Sequence, residues 1–261
     1  MISHNFRHIY HQALCKDVLF LNKDGVPSNA ETQHKRSIFL AQEIAGNLGF
    51  PLRTTYIRPQ LMHERFKRIT AKYLMDVFQS LKDACLEKWF LATGKEIGKF
   101  DEFKELVELE KTLSANRILD KVLDDYIAIK PDIVVGRMPV ASMSSRQKNQ
   151  ASPIPHASIS CKWTIRSDRS QNARTEALNL IRNRKGNLPH IVAVTAEPLP
   201  NRISTLAFGT GDLDCVYHFA LPELKRAIEK SGNEDQLETL NMMIDGRRLR
   251  DISDLPFDLA I

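Results

Sequence analysis

Apolar residues recur at helical spacing through the first half of this chain. Ile38, Ala41, Ile44, Ala45 and Leu48 share one helical face, and Gly49-Phe50-Pro51 ends the run. Phe66, Ile69, Tyr73, Val77, Leu81 and Cys85 predict a longer helix that stops before Thr93-Gly94. Phe103 to Leu123 reads as broken helix with a charged outer face. The second half changes period. Ile133-Val134-Val135 is a short apolar run behind Pro131-Asp132, and residues 141–155, rich in Ser, Gln, Asn and Pro, predict a loop. Residues 157–165 alternate. Ala157, Ile159, Cys161, Trp163 and Ile165 face one way, Ser158, Ser160, Lys162 and Thr164 the other, as in a strand. A helix is expected over about 169–183, with Ala173, Ala177, Leu180 and Ile181 as its apolar stripe. A buried strand over 191–195 follows, then a strand pair turning at Gly209-Thr210-Gly211, then a helix opened by Pro222. Alternating strands and helices predict an α/β fold, a mixed central β-sheet flanked by α-helices. The expected organisation is one domain over 1–261, mainly helical to 130 and α/β from 131.

Composition narrows the class. At 261 residues, with 43% hydrophobic and 26% charged, the chain reads as an ordinary soluble globular protein. No apolar run reaches ~18 residues, so no membrane span is expected. The first residues carry no apolar signal core, and Cys15, Cys85, Cys161 and Cys215 form no CxxC pair. A reduced, cytoplasmic setting is expected. The net charge of +5 is unevenly placed. Residues 162–185 hold seven bases against two acids, whereas residues 101–125 hold eight acids against four bases. Such a basic stretch fits either nucleic-acid contact or a solvated face.

Candidate chemistry is sparse elsewhere. There is no GxxxxGK[ST] loop, no HExxH and no GxSxG. His8 and His11 can share a helix face, which suits a structural pair better than a metal site. The group that stands out is Asp132 before its strand, Lys162 on the polar strand face beside Ser160, and Glu176 on the flank of the following helix's apolar stripe. Carboxylates and carbonyl oxygens suit hard divalent cations, and a lysine can hold an attacking water and offset charge on a phosphorane. The same residues also fit a strand-edge Asp, a snorkelling Lys and a solvated Glu.

Pro131-Asp132 followed by Ser160-Cys161-Lys162 resembles the PD…(D/E)xK nuclease signature, with serine where the second acid usually stands. Type II restriction endonucleases that read a CCGG core, the NgoMIV-like family, carry that acid on the next helix, and Glu176 stands at the matching place. The block HASISCKWTIRSDRSQNARTE over 156–176 is similar to this family almost residue for residue. The likeness continues through Val194-Thr195-Ala196-Glu197-Pro198, 215–221 and 251–256, strong over about the last 110 residues and looser before, best at Ser28-Asn29-Ala30.

The resemblance implies a PD-(D/E)xK restriction-endonuclease-like core. In it Asp132 would bind metal through its carboxylate and Cys161 through its backbone carbonyl, with Lys162, Ser160 and Glu176 completing the catalytic centre. Arg166, Asp168 and Arg169 would read CCGG, since arginine pairs with guanine and an acid accepts from cytosine. Glu31 and Arg202 would read the outer base pair, and Gln60 would reach the minor groove. The family's further glutamate on the long first-half helix falls at Lys67 in an ungapped match, so Glu64, one turn earlier, is carried as its substitute. The implied activity is Mg²⁺-dependent cleavage of both strands of GCCGGC, leaving 5′ phosphates. The implied partners are double-stranded DNA and further copies of the chain, as a homodimer or as a homotetramer built from two dimers. Another DNA nuclease, for repair or recombination, and a non-catalytic DNA-binding protein are the alternative classes.

Overall fold

A computed structural model describes residues 2–81, 89–94, 100, 131–137, 153–165, 167–184, 186–209 and 211–260. Three helices lead: α1 (Ile2–Asp17), α2 (Lys35–Leu48) and α3 (Pro59–Ser80). Gly49 closes α2 at φ 72°, a left-handed cap that side chains rarely adopt. Pro59 opens α3, where its missing N–H costs nothing.

The strands β1 (Trp89–Thr93), β2 (Ile133–Arg137), β3 (Ile154–Lys162), β4 (His190–Thr195), β5 (Cys215–His218) and β6 (Leu249–Asp251) form one sheet in that order. β1, β2 and β3 pair antiparallel; β3 to β6 run parallel. Parallel neighbours need crossovers. These are supplied by α4 (Ser167–Asn183), α5 (Pro200–Ala207), and the pair α6 (Leu221–Ser231) and α7 (Glu234–Asp245), before the short α8 (Leu255–Asp258). α2 packs on α6, α1 on α3, and α5 on α7. The buried core is continuous from Tyr10 in α1 to Leu259 after α8.

Several expectations change. Trp89–Thr93 is a strand, not the end of the long helix, which stops at Ser80. Each of its residues pairs with β2, and the Phe90 ring lies where a side chain at Gly136 would stand. No hairpin forms around Gly209 and Gly211. β4 and β5 are parallel, so the chain between them must cross over through α5, and it cannot turn back on itself. The alternating strand ends at Lys162, although Trp163 and Ile165 remain buried. Ser158 and Ser160 are buried too, so β3 has no free polar face. A strand in the middle of a sheet with helices on both sides meets protein on each face. The apolar C-terminal residues Ile252, Leu255 and Leu259 pack into this chain's own core. The expected broken helix at 103–123 and most of the loop at 141–155 lie outside the described residues.

Candidate active site

The antiparallel pairing of β2 with β3 builds the centre. Ile133 stands opposite Ile159, so Asp132, one residue earlier, meets the far end of β3. There the Cys161 N–H donates to Asp132 Oδ2 at 2.8 Å, and Lys162 Nζ lies 3.6 Å from the same oxygen. The other carboxylate oxygen is taken from a third element. His63 on α3 donates through Nε2 to Asp132 Oδ1 at 2.9 Å. The ring must carry its proton on Nε2, because an ionised carboxylate only accepts. Burial raises the Asp132 pKa, but the His63 hydrogen bond, the Lys162 and His63 charges and the Cys161 N–H outweigh it. The net value lies below the ordinary carboxylate range, and Asp132 stays charged.

Glu176 enters from α4. Ala173, Ala177 and Leu180 are buried as the apolar stripe requires, and this turns the adjacent Glu176 inward. Its Oε1 is buried without a hydrogen-bond partner, as is Ser160 Oγ. Burial pushes the Glu176 carboxyl up to about 7, helped by the Asp132 charge and opposed by Lys162 and His63. The Cys161 thiol is held protonated by burial, and it feels the charges of Asp132, Lys162, Lys67 and Glu176 together. All four therefore converge on the end of β3.

Burying a carboxyl without a partner costs stability. A carboxyl with its pKa raised to about 7 destabilises the fold above that pH and not below its ordinary value near 4.5. Glu176→Gln is therefore expected to stabilise the metal-free protein by about 2 kcal/mol at pH 8, a value reduced because the side chain is only partly buried. The gain should fade toward pH 5. Urea unfolding with chelator at both pH values checks it, and an equal difference at both would remove Glu176 from this account.

Other expected residues fall into place unevenly. Lys67 is buried on α3, and its Nζ donates to Glu64 Oε1 at 2.7 Å. Lys67 thus points inward where the family's glutamate was expected, while Glu64 is an exposed partner of that lysine. Glu31 and Arg202, the expected outer readers, form an ion pair with each other. Gln60 is exposed at the start of α3, one turn before His63. Asp168 and Arg169 stand in the first turn of α4; Arg166 lies outside the described residues. His11 is structural as expected: its Nε2 donates to the Phe219 carbonyl at 2.6 Å.

His63 was not anticipated. Its only local signal is that it precedes Phe66 and Lys67 by three and four residues on the buried face of α3. Among the described residues no three His, Cys, Asp or Glu side chains form a closed metal cage. Mg²⁺ needs no such cage, since one or two carboxylates and waters suffice. The Asp132 carboxylate, with the unpartnered oxygens of Glu176 and Ser160, is a hard-oxygen set that fits it.

The family model for the NgoMIV restriction enzyme matches residues 10–261. The chain belongs to the NgoMIV restriction enzyme family. The Type II restriction enzyme NgoMIV of Neisseria gonorrhoeae is 41% identical over 278 residues, spanning 98% of this chain and 97% of that one. Membership in the NgoMIV family makes the chain a site-specific endonuclease. Among solved structures, the complex of restriction endonuclease PspGI with substrate DNA aligns over 98% of this chain and 91% of its own. That alignment has 14% identity and a TM-score of 0.35. No helix among the described residues is long and apolar enough to cross a membrane.

Proposed function

We propose that this restriction endonuclease cleaves both strands of a CCGG-centred palindrome, GCCGGC, using Mg²⁺ and leaving 5′ phosphates. The observation that carries the reading is Lys162 Nζ at 3.6 Å from the ionised Asp132, with the Glu176 carboxyl near enough to feel both charges. Mg²⁺, when bound, would lower the pKa of a water and offset charge on the phosphoryl oxygens. Asp132 and the Cys161 carbonyl would hold it, with Glu176 in support. Lys162 orients the attacking water and offsets the negative charge that grows on phosphorus as the bond to the 3′ oxygen breaks. Ser160, two residues before Lys162 on the same strand, would add its unpartnered Oγ to that oxygen set. His63 keeps Asp132 ionised and aimed.

Arg166, Asp168 and Arg169 would read CCGG where α4 begins. Glu31 and Arg202 would read the outer pair, and Gln60 would touch the minor groove. A palindromic target suits a two-fold dimer, and two such dimers would make the homotetramer. This reading places the enzyme in the cytoplasm, as a single domain. A plasmid digest with and without Mg²⁺ tests it. Discrete fragments that need the metal support it; smears indicate another nuclease, and shifted but uncut DNA indicates a binder.

Arg169 separates base reading from backbone contact. A bidentate guanine contact contributes roughly 1–3 kcal/mol of discrimination, whereas a phosphate contact weakens all sequences alike. Arg169→Ala is expected to lose most specific binding to GCCGGC and to hold unrelated duplex as the parent does. Salt titrations on both duplexes check this, and equal losses would make Arg169 a backbone clamp.

A further inference from the structure

The two sets of residues assigned to base reading sit on different stretches of chain. Arg166, Asp168 and Arg169 follow β3. Arg202 stands on α5 beyond β4 and pairs with Glu31 from the first half. One side chain that neither set includes connects them. Glu197, in the short segment between β4 and α5, is 1% exposed. Its Oε2 accepts from the N–H of Ile165 at 2.8 Å, and Ile165 is the residue before Arg166. Its Oε1 accepts from the N–H of Leu199 at 3.2 Å, the residue that precedes α5.

The segment around Glu197 is itself fastened. The Glu197 N–H donates to Thr195 Oγ1 at 3.1 Å, and its carbonyl accepts from His218 Nε2 at 3.1 Å. The Ala196 N–H donates to the Trp163 carbonyl at 3.2 Å. The Ala196 carbonyl accepts from Asn29 Nδ2 at 2.9 Å, two residues before Glu31. Three stretches, at 29–31, 163–165 and 195–202, therefore meet at this segment.

Glu197 is an expensive way to satisfy two N–H groups. Its direct hydrogen-bond partners are backbone, and Arg202, the cation that acts on it, is engaged with Glu31. Burial raises its carboxyl to about 7, against those N–H donors and Arg202. A glutamine cannot replace it, because one arm would set an NH₂ group against an N–H donor. A buried carboxyl aimed at two backbone N–H groups at such cost indicates a geometry that the protein needs kept.

We infer that Glu197 is a positioning residue for sequence choice: its carboxylate ties Ile165 to Leu199, so that the inner and outer base readers meet DNA in one register. It touches no DNA itself. The inference rests on the proposed reading of Arg166, Asp168, Arg169, Glu31 and Arg202.

The test maps the parent's cut ends by sequencing and takes the recovered site, whatever its sequence, as cognate. Cleavage at that site and at sites differing by one base pair is then measured for the parent and Glu197→Gln, with affinity for unrelated duplex and thermal stability. A hydrogen bond to a charged group is strong enough for its loss to change the cognate preference about tenfold or more. The expected result is that fall in preference, with affinity for unrelated duplex unchanged. A Glu197→Gln enzyme that keeps the parent's preference, or that weakens on every duplex alike, overturns the inference and leaves the reading of the readers standing. A parent that cuts without preference overturns that reading and the inference with it. If Glu197→Gln does not fold, Glu197→Asp decides. It keeps the charge but is one methylene too short to span both N–H groups, and an unchanged preference there overturns the inference equally.

Discussion

Lys162→Ala is expected to lower the cleavage rate by ~10²–10³-fold or more while the protein still folds and still binds its site. Removing one preorganised donor from a centre of developing charge commonly costs that much. Here two effects add. The positive charge facing the phosphoryl group is lost. The cation that most opposes protonation of Glu176 is lost as well, so more of that carboxyl is neutral at working pH. The fold should tolerate the change. The Lys162 side chain is 16% exposed at the end of its strand, and Asp132 keeps both its His63 and its Cys161 hydrogen bonds. Single-turnover cleavage, beside DNA binding without metal, separates the steps. A Lys162→Ala enzyme that cuts at the parent's rate would remove this lysine from the mechanism.

Arg7→Met is expected to cost roughly 3–5 kcal/mol of stability, the range for breaking a buried ion pair from one side. The guanidinium of Arg7 on α1 donates from Nε to Asp251 Oδ1 at 2.8 Å and from Nη2 to Glu223 Oε2 at 2.6 Å. Further bonds to Glu223 Oε1 at 3.2 Å and Asp251 Oδ2 at 3.0 Å make both contacts bidentate. The two carboxylates belong to α6 and β6, 216 and 244 residues along the chain, so the arginine joins the first helix to the last strand. Methionine keeps the bulk and leaves two buried carboxylates together, and among the described residues only Arg226 still pairs with Glu223, at 3.1 Å.

The pH dependence has a definite sign. Burial pushes both carboxyls up, but Arg7 outweighs it, and both pKa values fall below their ordinary 4.5 and 3.8. Stability from such groups is fully present above those values and is lost as pH falls through the lowered ones. The gap between parent and variant should therefore be widest near pH 7 and should narrow as pH falls below about 4. Urea unfolding at pH 7 and pH 3.5 checks it. A loss under about 1 kcal/mol at pH 7 would make the cluster an ordinary surface network.

Local pattern was enough for much of the centre. The alternation over β3, the stripe on α4 and the proline before Asp132 placed an acid, a lysine and a second acid on neighbouring elements, and the structure brings those three together. Glu176 turning inward followed from Ala173, Ala177 and Leu180 alone. Pattern misled where a run was short. The helix marked by Phe66 to Cys85 was expected to run on until just before Thr93, yet Trp89–Thr93 is a strand paired with β2. Gly209 and Gly211 suggested a hairpin, yet the strands on either side are parallel. A short apolar run suits a helix or a strand, and only its partner settles which.

Residue types and their periods carried the chemistry available to this chain: which side chains can bind a hard cation, hold a water or read a guanine. Contacts between distant segments carried the rest. The His63–Asp132 bond spans 69 residues, and the Glu197–Ile165 bond links two strand ends. Lys67 faces inward at the position that the ungapped match gave to the family's glutamate, and Glu64, carried as its substitute, stands outside it. The reason is physical. Period is a property of a few consecutive residues, since each turn or pleat repeats locally. Partner, burial and proton affinity depend on sheet register and helix docking, which place groups remote in sequence within hydrogen-bond distance and remove the water between them.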